Sequence, residues 1–249
     1  MRIKQAYISN GVKTFKNQYL KKFDLVEVRD TSSPAVFFGM YTLGDFDCYL
    51  HHKGEIIVVW CGSDCLMLDV KKAEIVKSKP ATHIVKSKFM SDDLKKHNIE
   101  HKILPVTWQE PDLVAVPRGN CIFHYGNGIN NFYGDDYLPE IRKRTGLKVI
   151  QTTKDTYTRE QLIVYYANCF VGLRLTPHDG IPNIVMEMGM MGRRCLYNGY
   201  LPNAIPWRNI DDICASIMEE YRLRDINDTE EISKEMKYFI DIGHNWLFV

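Results

Sequence analysis

An α/β fold of two small Rossmann-like lobes, with mostly parallel sheets facing a cleft, is what this 249-residue sequence predicts. Three observations point there. Short apolar runs alternate with segments of helical period almost from end to end, the pattern of parallel strands covered by helices. A stretch punctuated by Pro105, Pro111 and Pro117 splits that alternation into two halves. The composition, 45% apolar and 25% charged, is that of a globular chain and excludes wholesale disorder.

Taken in order, Lys4–Ile8 reads as the first strand. Val12, Phe15, Tyr19 and Phe23 then mark one face of a helix. Asp24–Val28, Pro34–Met40, Glu55–Trp60 and Thr82–Val85 follow as strands, with Gly, Asp and His between them. Ser91 is placed to cap a short helix over Asp92–His97, and Lys102–Val106 closes the half. The second half restarts with Cys121–Tyr125 and a glycine loop, then a helix carrying Tyr137, Leu138 and Ile141, then a strand at Leu147–Gln151. Thr158 and Gln161 have capping-box spacing for a helix through Tyr166. Cys169–Leu175 reads as a buried strand, Pro182–Gly192 as a helix and Arg194–Tyr197 as a strand. Ile213, Ile217 and Tyr221 share a helix face whose positive end carries Asp211 and Asp212. Ile232, Met236, Phe239 and Ile240 share another. The expected division is residues 1–104, 105–226 and a C-terminal helix over 227–249.

Net charge narrows the function classes. Lys plus Arg number 32 against 31 Asp plus Glu, a formal charge of +1, so a dedicated nucleic-acid or membrane-surface binder is disfavoured. The longest apolar run, Ile56–Cys61, is far short of a membrane span, and no secretory signal is visible. Seven cysteines without a Cys-x-x-Cys pair read as reduced thiols, which places the chain in the cytoplasm. His83, His97, His101, His124 and His244 lack ligand spacing, so no metal site is expected. Neither the dinucleotide glycine fingerprint nor the P-loop is present, and no nucleophile elbow appears.

The richest segment runs from Cys169 to Asn198. It reads as a buried strand, a tight polar loop and a helix opening at Pro182, where proline's missing N–H costs nothing. Gly180 permits close backbone approach or a positive φ, and the free amides of the helix start form a ready anion site. Asp179 precedes that start and Glu187 follows eight residues later. The structure-only alternative is a capped helix with two solvent-facing carboxylates.

Asp179-Gly-Ile-Pro-Asn-Ile-Val-Met-Glu187, with Gly189 and Gly192 ahead of the next strand, resembles the acidic-x7-acidic motif of retaining GT-B glycosyltransferases of the glycogen-synthase-like, group-1 type. The resemblance implies a GT-B fold and a nucleotide-diphosphate sugar as donor substrate. It also implies a glycan or other hydroxyl-bearing acceptor, retention at the anomeric carbon, no metal and no further cofactor. By position, Asp179 faces donor-sugar hydroxyls and Gly180, Ile181, Pro182 and Asn183 offer amides to sugar and diphosphate. Glu187 holds the ribose. Asp stands where the family has Glu, one methylene shorter.

A second-lobe loop of the family carries an Arg and a Lys for the diphosphate; here Gly126, Asn127 and Gly128 occupy it without a cation. Arg174 is the candidate replacement, with pairing to Asp179 or Glu187 as the alternative, and Lys154 a weaker one. Asp64, after Cys61-Gly62-Ser63, reads as a turn or cap residue or as a sugar contact. His178 is placed to touch substrate. His51 and His52 read as an exposed turn, with an approach to the sugar as the alternative, and Lys86 and Lys88 as cleft or rim. The family's last helix packs back on the first lobe and ends near an aromatic such as Trp246, and the resemblance implies the same packing for the helix over 227–249. Rival readings are a sugar-nucleotide epimerase and a non-catalytic nucleotide or sugar-binding module, and donor turnover separates the latter from an enzyme. A nucleic-acid acceptor would need a basic groove.

Overall fold

The computed structural model describes residues 3–126, 131–152, 157–226 and 228–242. These form two compact units, residues 3–110 with 178–181 and 240–242, and residues 111–177 with 182–239. Every strand pairing described is parallel.

In the first unit β1 (Gln5–Ile8) leads through a 3-10 turn over Asn10–Phe15 into α1 (Lys16–Lys22). The helix expected over Val12–Phe23 is therefore broken. Ser9 Oγ accepts from Gly11 N–H and Val12 leaves helical geometry at φ −123°, so the regular α-turns begin only at Lys16. Then follow β2 (Val26–Glu27), β3 (Ala35–Phe38), α2 (Leu43–His51), β4 (Ile56–Val59), α3 (Ser63–Leu66), α4 (Val70–Lys77), β5 (Thr82–Val85), α5 (Lys88–Lys96) and β6 (Lys102–Ile103). The strands lie in the order β2-β1-β3-β4-β5-β6. Ala35 to Phe38 are all at most 1% exposed, because helices cover both faces of the sheet. Ala35 and Phe37 join Tyr49, Val58 and Leu94 on one face, while Val36 and Phe38 join Tyr19, Val59 and Ile84 on the other.

Two helices depart from expectation. Ser87, not Ser91, caps α5, accepting from Met90 N–H, so the helix starts a turn earlier. Ser91 lies inside it and bonds His101 Nε2 at 2.8 Å. The helix α2 has no counterpart in the sequence reading, although Thr42 and Asp45 form a reciprocal capping box and Phe46 and Tyr49 are buried.

The second unit runs β7 (Cys121–Tyr125), α6 (Leu138–Thr145), β8 (Val149–Thr152), α7 (Arg159–Ala167), β9 (Cys169–Leu173), α8 (Asn183–Met190), β10 (Arg194–Leu196), β11 (Ala204–Ile205), α9 (Ile210–Leu223) and α10 (Thr229–Ile242). Its sheet order is β11-β10-β9-β7-β8. Thr158 and Gln161 form the capping box of α7, and Asn209 caps α9 with Asp211 and Asp212 in its first turn. The helix α8 begins at Asn183, with Pro182 as its extended cap residue (ψ 128°). Its residues Ile184 to Met190 are all buried. Arg193, fully buried, donates to the carbonyls of Cys169, Val116, Met191, Pro117 and Ala167, tying the approach to β7 to the end of α7.

Candidate functional site

The carboxyl edge of the second sheet collects several of the expected residues, where open α/β sheets bind ligands. Gly126 follows β7, and a Cβ there would sit 2.3 Å from Asp135 Oδ1. That carboxylate oxygen accepts from Gln151 Nε2 at 2.8 Å and pairs with His124 Nε2 at 3.1 Å. Glycine at 126 thus makes room for an acidic side chain. Burial lowers the His124 pKa against the opposing pull of Asp135, and Nδ1 of that fully buried ring has no hydrogen-bond partner. Asn127, Gly128, Lys154 and Trp246 lie outside the described residues.

Arg174 comes one residue past β9, and its N–H continues the ladder to Leu196 O at 2.9 Å. Its guanidinium stacks 4.2 Å from the Tyr133 ring and 5.6 Å from the Tyr125 ring, leaving the residue 9% exposed. Two aromatic faces lower the cost of holding the cation at the sheet edge.

Glu187 sits on the fifth residue of α8 and is 5% exposed. Its Oε1 accepts from Arg159 Nε at 2.9 Å and its Oε2 from the Tyr166 hydroxyl at 3.1 Å. Arg159 turns its other two nitrogens onto Asp112 in a fork at 2.8 and 2.9 Å. Those carboxylates hold the guanidinium pKa above its usual value, Asp112 contributing most, while burial and then the charge of Glu187 push the Tyr166 hydroxyl well up. Neither Arg159 nor Asp112 was legible as a site residue. Arg159 reads only as the first residue after a helix cap, and 47 positions separate it from Asp112.

Residues 178–181 belong to the first unit. His178 Nε2 lies 2.7 Å from Asp93 Oδ2, whose other oxygen accepts from Lys96 Nζ at 2.7 Å. Ser87 Oγ donates to the Asp179 carbonyl at 2.7 Å, and Asp179 Oδ1 accepts from Gly180 N–H at 2.9 Å. Asp179 and Ile181 are half-buried. Gly180 keeps an ordinary φ, and a Cβ on it would stand 3.4 Å from the Cys61 carbonyl. Asp93 is a partner that sequence reasoning missed, because the 85 positions between it and His178 leave no local signal.

Asp64 follows the turn reading in its bonding. It is 1% exposed and accepts from the backbone N–H groups of Met40, Cys61, Gly62 and Cys65 at 2.8 to 3.2 Å. Burial raises its carboxyl pKa, opposed chiefly by the Cys61 and Gly62 amides. His52, expected in an exposed turn, is instead 1% exposed with Nε2 2.9 Å from the Ser33 carbonyl, while His51 is exposed. Lys88 is exposed and pairs with Asp92.

No known family description matches the sequence, and no curated protein matches it either. Solved structures do. Sucrose-phosphate synthase from Thermosynechococcus elongatus superposes with a TM-score of 0.59 at 11% identity over 95% of this chain and 73% of that one. Anabaena HepE, solved with UDP and glucose, gives 0.59 at 9% identity over 96% and 95%. TarM gives 0.60 at 15% identity over 92% of this chain, which spans 56% of TarM's length. The fold is GT-B-like. The GT-B class expected from the motif is therefore the class observed, with two parallel α/β sheets. Among the described residues, no helix is long and apolar enough to cross a membrane, and no cluster of three or more His, Cys, Asp or Glu side chains is arranged to hold a metal ion.

Proposed function

We propose that this GT-B-like chain is a glycosyltransferase. It moves a sugar from a nucleotide-diphosphate sugar to an acceptor hydroxyl, with retention and without a metal ion. One observation carries the reading. The segment Asp179 to Glu187 opens a helix buried from Ile184 to Met190, in a fold shared with sucrose-phosphate synthase and with HepE, which was solved in complex with UDP and glucose.

In this reading the departing diphosphate is met by the first amides of α8, which Pro182 leaves without a side-chain cap, and by the Arg174 guanidinium. Both are positive groups fixed before reaction, so they stabilise charge as it develops on the leaving oxygens. Glu187, oriented by Arg159 and Tyr166, takes the ribose hydroxyls. Asp179 engages the donor-sugar hydroxyls and His178, oriented by Asp93, lies beside it in sequence. The acceptor hydroxyl attacks from the face the diphosphate leaves, and no protein nucleophile is assigned.

A thermal-shift panel of nucleoside diphosphates and their sugar conjugates tests this, because a ligand held only by the folded state raises Tm. A selective shift by one nucleotide series, UDP foremost, is the expected result. Arg174→Ala should weaken the bare diphosphate about tenfold, the scale of one lost charge-assisted bond. No shift at millimolar ligand overturns the reading, and so does a bound donor that no acceptor panel can turn over.

A further inference from the structure

Three successive strands of the first sheet, β3, β4 and β5, deliver Tyr41, Cys61 to Ser63, and Lys86 to the same carboxyl edge. Lys86 follows β5 on the face that carries Tyr19, Phe38, Val59 and Ile84. It is half-buried, with Nζ donating to the Tyr19 hydroxyl at 2.9 Å and standing 5.4 Å from the centre of that ring. Among the described residues no carboxylate forms an ion pair with it. Asp64 lies within electrostatic reach of the ammonium, and its oxygens are filled by four backbone amides.

The groups around the ammonium are donors. Tyr19 accepts from Lys86, and its oxygen lies in hydrogen-bond contact with Cys61 Sγ at 4.0 Å, while that thiol donates to the Val59 carbonyl at 3.4 Å. Burial pushes the Cys61 thiol up to about 11, so it offers no negative charge. Burial, then the charges of Asp64 and Cys61, keep the Tyr41 hydroxyl protonated too. The Tyr41 ring is seated by glycines: a Cβ on Gly11 would fall 2.4 Å from it, and one on Gly39, at φ +80°, 2.8 Å. An ammonium has three N–H donors; the Tyr19 hydroxyl takes one and the Cys61 sulfur, a weak acceptor, stands beside another. Partly withdrawn from water beside hydroxyl donors, it is completed by an oxyanion rather than by a neutral hydroxyl.

We propose that Lys86, with the hydroxyls of Tyr19 and Tyr41, forms an anion subsite of the first unit. It takes a compact oxyanion carried by the acceptor, of the phosphate-monoester kind. The acceptor assignment rests on the glycosyltransferase reading; the anion subsite does not.

The test measures Tm of the full chain in inorganic phosphate against chloride at matched ionic strength, with and without saturating UDP. Phosphate should raise Tm, and its shift should add to that of UDP. Lys86→Met should weaken phosphate at least tenfold and leave the UDP shift unchanged, while Lys86→Arg keeps binding. Should Lys86→Met fail to fold, Tyr41→Phe should still weaken phosphate severalfold. The subsite is overturned if phosphate gives no shift, or if the substituted proteins bind it like wild type. A phosphate shift that vanishes under saturating UDP places the anion in the donor's own site and overturns the acceptor assignment. Phosphate binding through Lys86 with no UDP shift keeps the subsite and sinks the donor reading instead.

Discussion

Two buried acidic residues, one in each unit, are satisfied in opposite ways. Asp64, after β4, spends its oxygens on the backbone amides of Met40, Cys61, Gly62 and Cys65. Glu187, on α8, spends its oxygens on two side chains, Arg159 and Tyr166. Backbone amides are fixed by the chain's path, so Asp64 determines the shape of a turn and has little left to offer a ligand. Side-chain donors leave their acceptor's second lone pairs addressable and can themselves turn away. Of two acidic residues that look alike in sequence, the first is tied to the path of the backbone and the second to side chains.

The largest effect expected from this contrast is structural. Asp64→Ala strips the acceptor from four amides near β3 and β4, those of Met40 and Cys65 buried, at on the order of 1–3 kcal/mol for each fully unsatisfied group. A total loss of ~4 kcal/mol should appear as a fall in Tm of roughly 10 °C, read by calorimetry. Wild-type stability in Asp64→Ala would show that solvent reaches those amides and would remove the contrast.

Next comes an acid sensitivity peculiar to the first unit. His83 on β5 is 7% exposed with Nδ1 unpartnered, and burial, helped by His101, depresses its pKa to about 4. The unfolded chain takes up that proton first, near the ordinary value of 6.5. Its contribution is therefore complete above about pH 6.5 and is lost as pH falls towards about 4, to a total of ~3 kcal/mol. His124 in the second unit is also buried, but its Asp135 partner opposes the drop. Urea titrations across pH 4 to 7 should show the slope in wild type and a flatter curve in His83→Leu. Equal slopes in both proteins would assign the acid sensitivity elsewhere.

Much of this was readable before any coordinates. Strands such as Thr82–Val85 and Cys121–Tyr125 were legible to the residue, because a parallel strand buried on both faces is a bare apolar run. The cap at Thr158 was legible because a capping box is local chemistry. The helix α2 escaped because its box closes with Asp45 in place of Glu or Gln. Ser87 was passed over for Ser91 because lysines on either side of it disguised a helix start as a loop. Around the candidate site, the motif's spacing singled out Glu187, which the structure buries on α8. Its partners Arg159 and Asp112 were not, nor was Asp93 beside His178, since a contact between residues 28 to 85 positions apart has no local signature.

The smallest stability effect should carry the largest functional one. Glu187→Gln keeps the shape of the side chain and an oxygen for Tyr166 or Arg159. It removes the charge that Arg159 shares between this residue and Asp112. Because Asp112 retains its fork on Arg159, the guanidinium is not left unpaired, and the loss should be about 1 kcal/mol, that of one charge-assisted bond made neutral. If the ribose is held here, UDP affinity should fall about tenfold in the same protein, measured by titration calorimetry. Asp64→Ala and Glu187→Gln then form a crossed pair: one loses stability, the other loses ligand. Should Glu187→Gln cost as much stability as Asp64→Ala while binding UDP normally, Glu187 is a second structural carboxylate, and the nucleotide must be sought at Arg174 and the start of α8 alone.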